Sequence, residues 1–265
     1  MRTAIVTGAG SGIGLELTKR LLREGWSVTA LLRRPSQEYP TFPGEIAGRL
    51  RVRTGDLSDA AERRAVATEI AESEPRIDVL FNNAGVSTAT LRFSPQGREI
   101  HYEVNTIAPY VLTETLAANL AAAGGRVVNT ASDAVFFDKR FDPDALAHPA
   151  RFRKVTGPYA SSKLALALWS KEIAPALAAR GIGIVSVTPG PNDTPMLHGP
   201  GTPTLMRLVA QMVAKPPTHG AGLLLDAAVG PFRSGEFLMK GAVRDLPFEG
   251  KAERTLDVIA SAARE

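Results

Sequence analysis

The chain has 265 residues, a formal net charge of +4, 44% apolar residues and 22% charged residues, which is the balance of a folded globular protein and not of a disordered one. It contains no cysteine, which excludes disulfides, thiolate metal sites and a cysteine nucleophile. Aromatic residues are sparse and no long basic run occurs, so the composition does not favour nucleic-acid binding.

Strand-like apolar runs alternate with helical patterns along the chain. In chain order the predicted strands are residues 4–7, 27–32, 50–54, 77–81, 126–130, 182–187 and 236–239. The predicted helices are residues 13–24, 60–72, 98–123 and 159–180, with Ser58 as the cap of the second. The alternation predicts one α/β domain over residues 1–265. We expect a doubly wound, Rossmann-like fold with a mainly parallel seven-stranded sheet and helices on both faces.

Two stretches lack a regular pattern. Residues 133–158 carry Phe136, Phe137, Phe141 and Phe152 among charged residues, and we expect an ordered loop insertion that forms part of the substrate pocket. Residues 191–217 are rich in proline, glycine and methionine and predict a lid over the site.

Two expectations, on cellular location and on metal content, rest on patterns that the sequence lacks. No apolar stretch is long enough to span a bilayer, and no secretory leader pattern precedes the first predicted strand. We therefore expect a cytoplasmic protein without a membrane span. The four histidines, His101, His148, His198 and His219, show no metal-ligand spacing, so we expect them on the surface or in loops and predict no metal site.

A glycine-rich turn follows the first predicted strand and opens the first helix. From Thr7 to Gly14 it reads Thr-Gly-Ala-Gly-Ser-Gly-Ile-Gly. A backbone without side chains can approach a pyrophosphate closely, and the N–H groups at a helix N-terminus attract its negative charge. Such turns can also serve tight packing alone, but the strand–turn–helix context favours dinucleotide binding.

Tyr159 and Lys163 lie four residues apart at the start of a predicted helix, so both side chains can point into one cleft. A free phenol has a pKa of about 10 and exchanges its proton poorly at neutral pH. A nearby ammonium favours the phenolate, so we expect Lys163 to lower the pKa of Tyr159 and make it a general acid/base.

These two motifs, with Asn82-Asn83-Ala84-Gly85 after the fourth predicted strand, resemble the short-chain dehydrogenase/reductase family over about residues 3–195. The glycine spacing, Gly-x-x-x-Gly-x-Gly after a threonine, is similar to that family's and differs from Gly-x-Gly-x-x-Gly. The long interval between Ser132 and Tyr159 resembles the retinol-dehydrogenase-like and protochlorophyllide-reductase-like members, which handle bulky apolar carbonyls.

The resemblance implies a role for each matching residue. Its catalytic residues are Ser132, Tyr159, Lys163 and Asn105, the last holding a relay water. It implies cofactor contacts by Gly8, Ser11, Gly12, Ile13, Gly14, Asp56, Leu57, Asn83, Ala84, Gly85, Tyr159, Lys163, Pro189, Gly190 and Thr194. Read without the resemblance, Ser132 is a serine that ends a strand and Asp56 is a surface-turn aspartate.

The second predicted strand ends in Leu32-Arg33-Arg34. An NAD site needs a carboxylate near this point for the ribose 2′-hydroxyl, and the resemblance puts Leu32 at its position. A guanidinium can instead bind a 2′-phosphate through two hydrogen bonds. The sequence therefore predicts NADP(H), held by Arg33 and Arg34, against the alternative that both are solvated surface residues.

The predicted function is an NADP(H)-dependent oxidoreductase that interconverts an aldehyde or ketone with an alcohol, on an apolar small molecule. The resemblance also implies a homodimer or homotetramer. The alternative is an NADP(H)-binding redox-sensing regulator without catalysis, which needs the glycine turn but not the four catalytic residues together. An isomerase or dehydratase of this fold usually carries a C-terminal substrate domain, for which the stretch after Thr194 is short.

Overall fold

The computed structural model describes residues 1–35, 42, 46 and 48–265. Within these residues one sheet has the order β3-β2-β1-β4-β5-β6-β7-β8. Its strands are β1 (Thr3–Thr7), β2 (Ser27–Leu32), β3 (Leu50–Thr54), β4 (Val79–Asn82), β5 (Arg126–Thr130), β6 (Gly183–Thr188), β7 (Phe237–Met239) and β8 (Ala242–Val243). All neighbouring pairs are parallel except β7 and β8.

The described helices are α1 (Gly12–Arg23), α2 (Ala60–Ser73), α3 (Ile100–Tyr102), α4 (Ala108–Thr115), α5 (Ala117–Ala121), α6 (Pro158–Ala178), α7 (Pro195–His198), α8 (Thr204–Val213), α9 (Pro217–Val229) and α10 (Ala252–Arg264). Short 3-10 turns cover Asp133–Phe136, Pro143–Ala145 and Glu249–Lys251. Among the described residues no helix combines the length and apolarity needed to cross a bilayer.

The central strands are buried along almost their whole length because both faces of the sheet are covered. Ala4 and Val6 of β1 pack in one core, which includes Leu17 of α1 and Leu224 of α9. Ile5 points the other way into a second core, built mainly from α2, α4, α6 and α10. Successive side chains of a strand alternate between the faces, so a strand buried on both sides shows no polar alternation. The predicted doubly wound α/β fold is confirmed.

The sheet has one strand more than predicted. β8 runs back along β7 through a hairpin whose two central residues, Lys240 and Gly241, have φ angles of 53° and 75°. Two positive φ angles in sequence are typical of the tight turn that joins antiparallel strands. A two-residue strand is too short to give a periodic pattern, so the sequence did not indicate it.

The long helix predicted over 98–123 is broken into shorter pieces. Glu99 caps its start, and a π-helical turn over Glu103–Ile107 separates α3 from α4. Pro109 has no N–H to donate to the carbonyl of Asn105 four residues earlier, and its ring crowds that carbonyl. The chain widens into a π turn at this point, which is where a helix accommodates such a break.

The cap predicted for α2 is also different. Asp59, not Ser58, caps this helix, and its carboxylate accepts from the backbone N–H groups of Ala61 and Glu62 at 2.8 and 3.0 Å. Helices α7, α8, α9 and α10 were not predicted. The segment 191–217, expected as a lid, contains α7 and α8.

The strand order places the functional edge of the sheet. After β3 the chain crosses from the edge of the sheet to the other side of β1, so β1 and β4 are neighbours. The connection after β1 leads to β2 on one side, and the connection after β4 leads to β5 on the other side. A crevice forms outside the carboxyl ends of the strands at such a switch point. The loops that follow β1 and β4 therefore border this crevice.

Candidate active site

A cleft of about 1160 Å³ opens at the carboxyl ends of β1 to β6. Most residues singled out in the sequence line it. These are Gly8, Ser11, Gly12, Ile13, Arg33, Arg34, Asp56, Leu57, Asn83, Ala84, Gly85, Ser132, Tyr159, Lys163, Pro189, Gly190 and Thr194. Gly14 and Asn105 are not part of the lining and lie behind it.

The glycine turn combines tight packing with an open helix end. Gly8 has a φ of +65°, and a Cβ there would lie 2.8 Å from the Cα of Ala84. At Gly14 a Cβ would lie 2.3 Å from the carbonyl oxygen of Gly8, so side chains are excluded at both positions. The N-cap Ser11 makes no side-chain cap hydrogen bond, and the first turn of α1 holds no acidic residue. The positive end of the helix is thus available to an anion in the cleft.

The end of β2 forms a charged end of the cleft. Leu32 is buried, whereas Arg33 and Arg34 are exposed and line the cleft. The Oδ1 atom of Asp56 accepts from the backbone N–H and the hydroxyl of Ser58 at 2.9 and 2.7 Å. Burial raises the pKa of Asp56, but these hydrogen bonds and the charges of the two arginines outweigh burial and keep the pKa below its ordinary value.

The end of β4 is tied to the end of β1. The Thr7 hydroxyl oxygen accepts from the backbone N–H groups of Asn83 and Ala84 at 3.0 and 2.9 Å. The Asn83 amide donates to the Thr7 carbonyl at 3.0 Å. Asn82 points away from the cleft and donates to Asn129 Oδ1 at 2.8 Å. Asn82 therefore supports the sheet, while Asn83 and Ala84 shape the cleft wall.

Ser132, Tyr159 and Lys163 come together from the end of β5 and the start of α6. The Ser132 hydroxyl is hydrogen-bonded to the Tyr159 phenol and also accepts from the Ala134 N–H at 3.2 Å. The Lys163 Nζ donates to the Thr130 carbonyl at 2.7 Å, and only 4% of the residue is exposed. The cleft therefore contains a phenol, a hydroxyl and an ammonium within one small area.

The pKa values at this cluster differ from the expectation. Burial raises the pKa of the Tyr159 phenol; the Ser132 hydrogen bond lowers it and the Asp133 carboxylate raises it. Burial also lowers the pKa of Lys163 to about 8. The predicted lowering of the Tyr159 pKa by Lys163 is not found, because desolvation of the phenol dominates. Tyr159 is thus a protonated phenol near neutral pH, which suits a proton donor.

Asn105 supports the cleft wall from behind. Its Oδ1 accepts from the Val86 N–H at 2.8 Å, and its Nδ2 donates to the Val86 carbonyl at 3.2 Å and to Ser162 Oγ at 3.1 Å. Both donors of the amide nitrogen are used within the protein. A Cβ at Gly85 would lie 3.3 Å from Asn105 Oδ1, so Asn105 fixes the backbone that passes next to Lys163.

The loop after β6 is held by Asn192, for which the sequence predicted no role. Gly190 has a φ of +69°, and the Asn192 amide donates to the carbonyls of Pro189 and Gly190, each at 3.0 Å. Asn192 Oδ1 accepts from the Gly220 N–H at 3.0 Å and ties the loop to α9. The signal in the sequence was an asparagine two residues after the Pro189-Gly190 pair. Thr194 lies at the cleft, with its methyl group near Gly12.

The insertion over 133–158 contributes to the cleft with one of its four phenylalanines. Phe137 lines the cleft, together with Val155. Phe136 packs against Phe237, and Phe141 is buried in the core. Phe152 stacks on the His101 ring and lies outside the cleft lining. The aromatic pattern thus predicted a pocket wall, but three of the four rings serve packing.

His101 contradicts the expectation of a surface or loop histidine. It is fully buried in α3 and its ring lies beside Tyr159. Its hydrogen-bond partner is the helix-capping Glu99, and the signal in the sequence was this carboxylate two residues earlier. Within the described residues no group of three or more His, Asp or Glu is placed to hold a metal ion.

Comparison with known proteins identifies relatives of this chain. The family model described as short chain dehydrogenase matches residues 2–141. The chain is 33% identical over 282 aligned positions to the dehydrogenase/reductase SDR family member 13 of Bos taurus, covering all of this chain and 72% of that protein. It is 32% identical over 195 positions to retinol dehydrogenase 13 of Homo sapiens, covering 71% of this chain and 58% of that protein.

A solved structure shares the fold. The NADPH-bound carbonyl reductase from chicken fatty liver superposes with a TM-score of 0.69 at 24% identity, covering 92% of this chain and 98% of that one. At this identity the likeness concerns the arrangement of helices and strands.

Proposed function

This chain belongs to the short-chain dehydrogenase/reductase family and to its retinol-dehydrogenase-like subgroup, and we propose that it uses NADP(H) to interconvert apolar aldehydes or ketones with their alcohols. It is an oxidoreductase of alcohols and carbonyls with a nicotinamide cofactor. The proposal goes further in three respects: the choice of NADP(H), the role of Tyr159 and the class of substrate. The observation that carries it is the phenol–hydroxyl–ammonium cluster in the same cleft as the open end of α1.

The residues of the cleft fit a dinucleotide. The uncapped start of α1 suits a pyrophosphate, and the excluded side chains at Gly8 and Gly14 keep the loop backbone close to the cleft. Arg33 and Arg34 provide cations where a 2′-phosphate would need them, and no carboxylate stands at Leu32 to repel it. When bound, the cofactor supplies or accepts the hydride.

The chain's own residues would move the proton. In the reductive direction the Tyr159 hydroxyl gives its proton to the carbonyl oxygen, and the Ser132 hydroxyl donates a hydrogen bond to the same oxygen. Lys163 holds a positive charge beside them and would bind the ribose hydroxyls of the cofactor. Asn105 keeps the Gly85–Val86 backbone in place, so we propose a positioning role for it instead of the relay-water role.

We expect the two directions of the reaction to respond oppositely to pH. Reduction needs the protonated phenol, whose pKa is raised, so the reductive kcat should be level through neutral pH and fall only at alkaline pH. Oxidation needs the phenolate and should speed up as pH rises. The kcat of both directions measured between pH 6 and pH 11, roughly the range over which a phenol can titrate, checks this. A reductive kcat that already falls as the pH rises towards neutral would contradict the assignment of Tyr159 as proton donor.

The proposed substrate class rests on the apolar part of the cleft wall. This part includes the side chains of Ile100, Val104, Phe137, Val155, Met196, Leu197 and Met206. A wall of this kind favours substrates with a bulky apolar body. Consumption of NADPH across a panel of carbonyls, weighted to apolar aldehydes and ketones, tests the function directly. Tight NADPH binding with no turnover of any carbonyl or alcohol would instead favour the redox-sensing regulator.

Phe137→Ala should lower kcat/KM for bulky apolar carbonyls about tenfold more than for small ones. Even one methylene group in an apolar pocket contributes roughly 1–3 kcal/mol to discrimination between substrates. Phe137 is 43% exposed in the cleft and is free to contact a substrate. The control is Phe93→Ala, since Phe93 is 49% exposed but does not line the cleft. Equal losses for large and small substrates would show that Phe137 does not contact the substrate.

A further inference from the structure

His101 lies between two walls of the cleft and contacts both. It is completely buried, as is Glu99. Its ring meets the Tyr159 ring edge-on, with centroids 6.0 Å apart and an interplanar angle of 83°. Its Nε2 atom lies 3.1 Å from the backbone N of Thr88. Thr88 and Tyr159 both line the cleft, so one buried residue links a segment of its wall to the proposed proton donor.

The hydrogen-bond partners of His101 determine which ring nitrogen carries the proton. A backbone N–H can only donate, so Nε2 must accept from Thr88 and carries no proton. The Nδ1 atom lies 2.6 Å from Glu99 Oε1, an acceptor, so Nδ1 carries the proton and donates it. The Thr88 hydroxyl also lies 3.3 Å from Nε2, but the N–H contact at 3.1 Å is the shorter one, and a proton on Nε2 would face that N–H. These two contacts assign the ring proton to Nδ1.

Glu99 is fixed independently of His101. Its Oε2 accepts from the backbone N–H groups of His101 and Tyr102 at 2.9 and 3.0 Å, which caps the start of α3. The remaining oxygen, Oε1, is the one directed at Nδ1. The same carboxylate therefore begins the helix and sets the tautomer of the histidine that the helix carries.

We propose that His101 is a positioning residue whose tautomer, set by Glu99, fixes the Thr88 backbone and the Tyr159 ring relative to each other. The wall segment is then held twice from one helical stretch, at Val86 by Asn105 and at Thr88 by His101. The consequence for turnover rests on the proposed function, whereas the tautomer itself does not.

The tautomer can be measured in the parent protein without any substrate. Two-bond 1H–15N correlation spectra distinguish a protonated ring nitrogen from an unprotonated one, and the His101 signals are assigned by their loss in His101→Gln. We expect a protonated Nδ1 and an unprotonated Nε2 in the neutral pH range. The opposite tautomer, or an imidazole with both nitrogens protonated there, would overturn the proposal even if the enzyme is fully active.

Glu99→Gln should reverse the tautomer while keeping the side chain's size. The amide oxygen would stay at the helix cap, because turning it round would point the NH2 at two N–H donors. The NH2 would then face Nδ1, and the ring proton would move to Nε2, opposite the Thr88 N–H. We expect reversed ring-nitrogen signals and a kcat about tenfold lower, the effect of one lost hydrogen bond, with little change in the Kd of NADPH. An unchanged tautomer and unchanged kcat would refute the role of Glu99.

Two substitutions of His101 separate its hydrogen bond from its ring contact. His101→Phe keeps an aromatic ring beside Tyr159 but offers no acceptor to Thr88, whereas His101→Gln restores an acceptor. We expect kcat to fall in the phenylalanine variant and to recover partly in the glutamine variant, with KM for the substrate changing less than kcat. His219→Gln is the control, since His219 is exposed and lies outside the cleft lining. A phenylalanine variant with the parent's kcat would show that the Thr88 bond has no bearing on catalysis.

Discussion

Replacing Tyr159 by phenylalanine should lower turnover by about 10²–10⁴-fold while leaving the affinity for NADPH nearly unchanged. The substitution removes only the hydroxyl, which is the group hydrogen-bonded to Ser132 and placed to give its proton to a carbonyl oxygen. The ring edge against His101 is retained, so the packing behind the cleft should persist. The loss should therefore appear in kcat, measured with saturating NADPH and carbonyl, and not in the fluorescence titration of NADPH.

Tyr110→Phe is the matched control for this experiment. Tyr110 also loses only a hydroxyl, packs edge-on against Trp169 at 5.6 Å between centroids and does not line the cleft. It should keep the parent's kcat. Turnover of Tyr159→Phe close to that of the parent would refute the proton-donor assignment, because no other phenol lines the cleft in the described part of the chain.

The sequence predicted best where a local pattern and the global fold require the same residues. The strand over Arg126–Thr130 has the predicted bounds. Four of its five residues are buried between two parallel neighbours, and Gly125 precedes the strand. The glycine turn was identifiable because a side chain at Gly8 or Gly14 would clash with the backbone, so both positions require glycine.

The sequence predicted least where a tertiary contact overrides a local pattern. An apolar helical period continues through 98–123, but Pro109 interrupts the hydrogen-bond ladder and the chain forms a π turn. His101 looked like an ordinary polar residue because its partners come from the Glu99 cap and from Thr88 in a separate loop. The pKa of Tyr159 was misjudged for a similar reason, since spacing shows the neighbouring Lys163 but not the burial of the phenol.

Arg33→Ala should lose most of a preference for NADPH over NADH that we expect to be roughly ten- to a few hundredfold in the parent. A hydrogen bond to a charged group contributes about 1.5–3 kcal/mol, and about 1.4 kcal/mol corresponds to a factor of ten. Arg33 directly follows the buried Leu32 at the end of β2, so its backbone is held by the sheet, whereas Arg34 is one residue farther along. Arg34→Ala should therefore lose less discrimination than Arg33→Ala.

The ionic-strength dependence separates this charge effect from a change in shape. Both arginines are exposed, so their attraction for a phosphate is screened by salt and the losses in the two variants should shrink at high ionic strength. The Kd of NADPH and of NADH, measured by fluorescence for the parent, both variants and Arg180→Ala, decides the question. Arg180 is equally exposed but lies outside the cleft lining, so its variant should match the parent. Equal affinities of the parent for the two cofactors, or full discrimination in Arg33→Ala, would refute the assignment of a 2′-phosphate site to the end of β2.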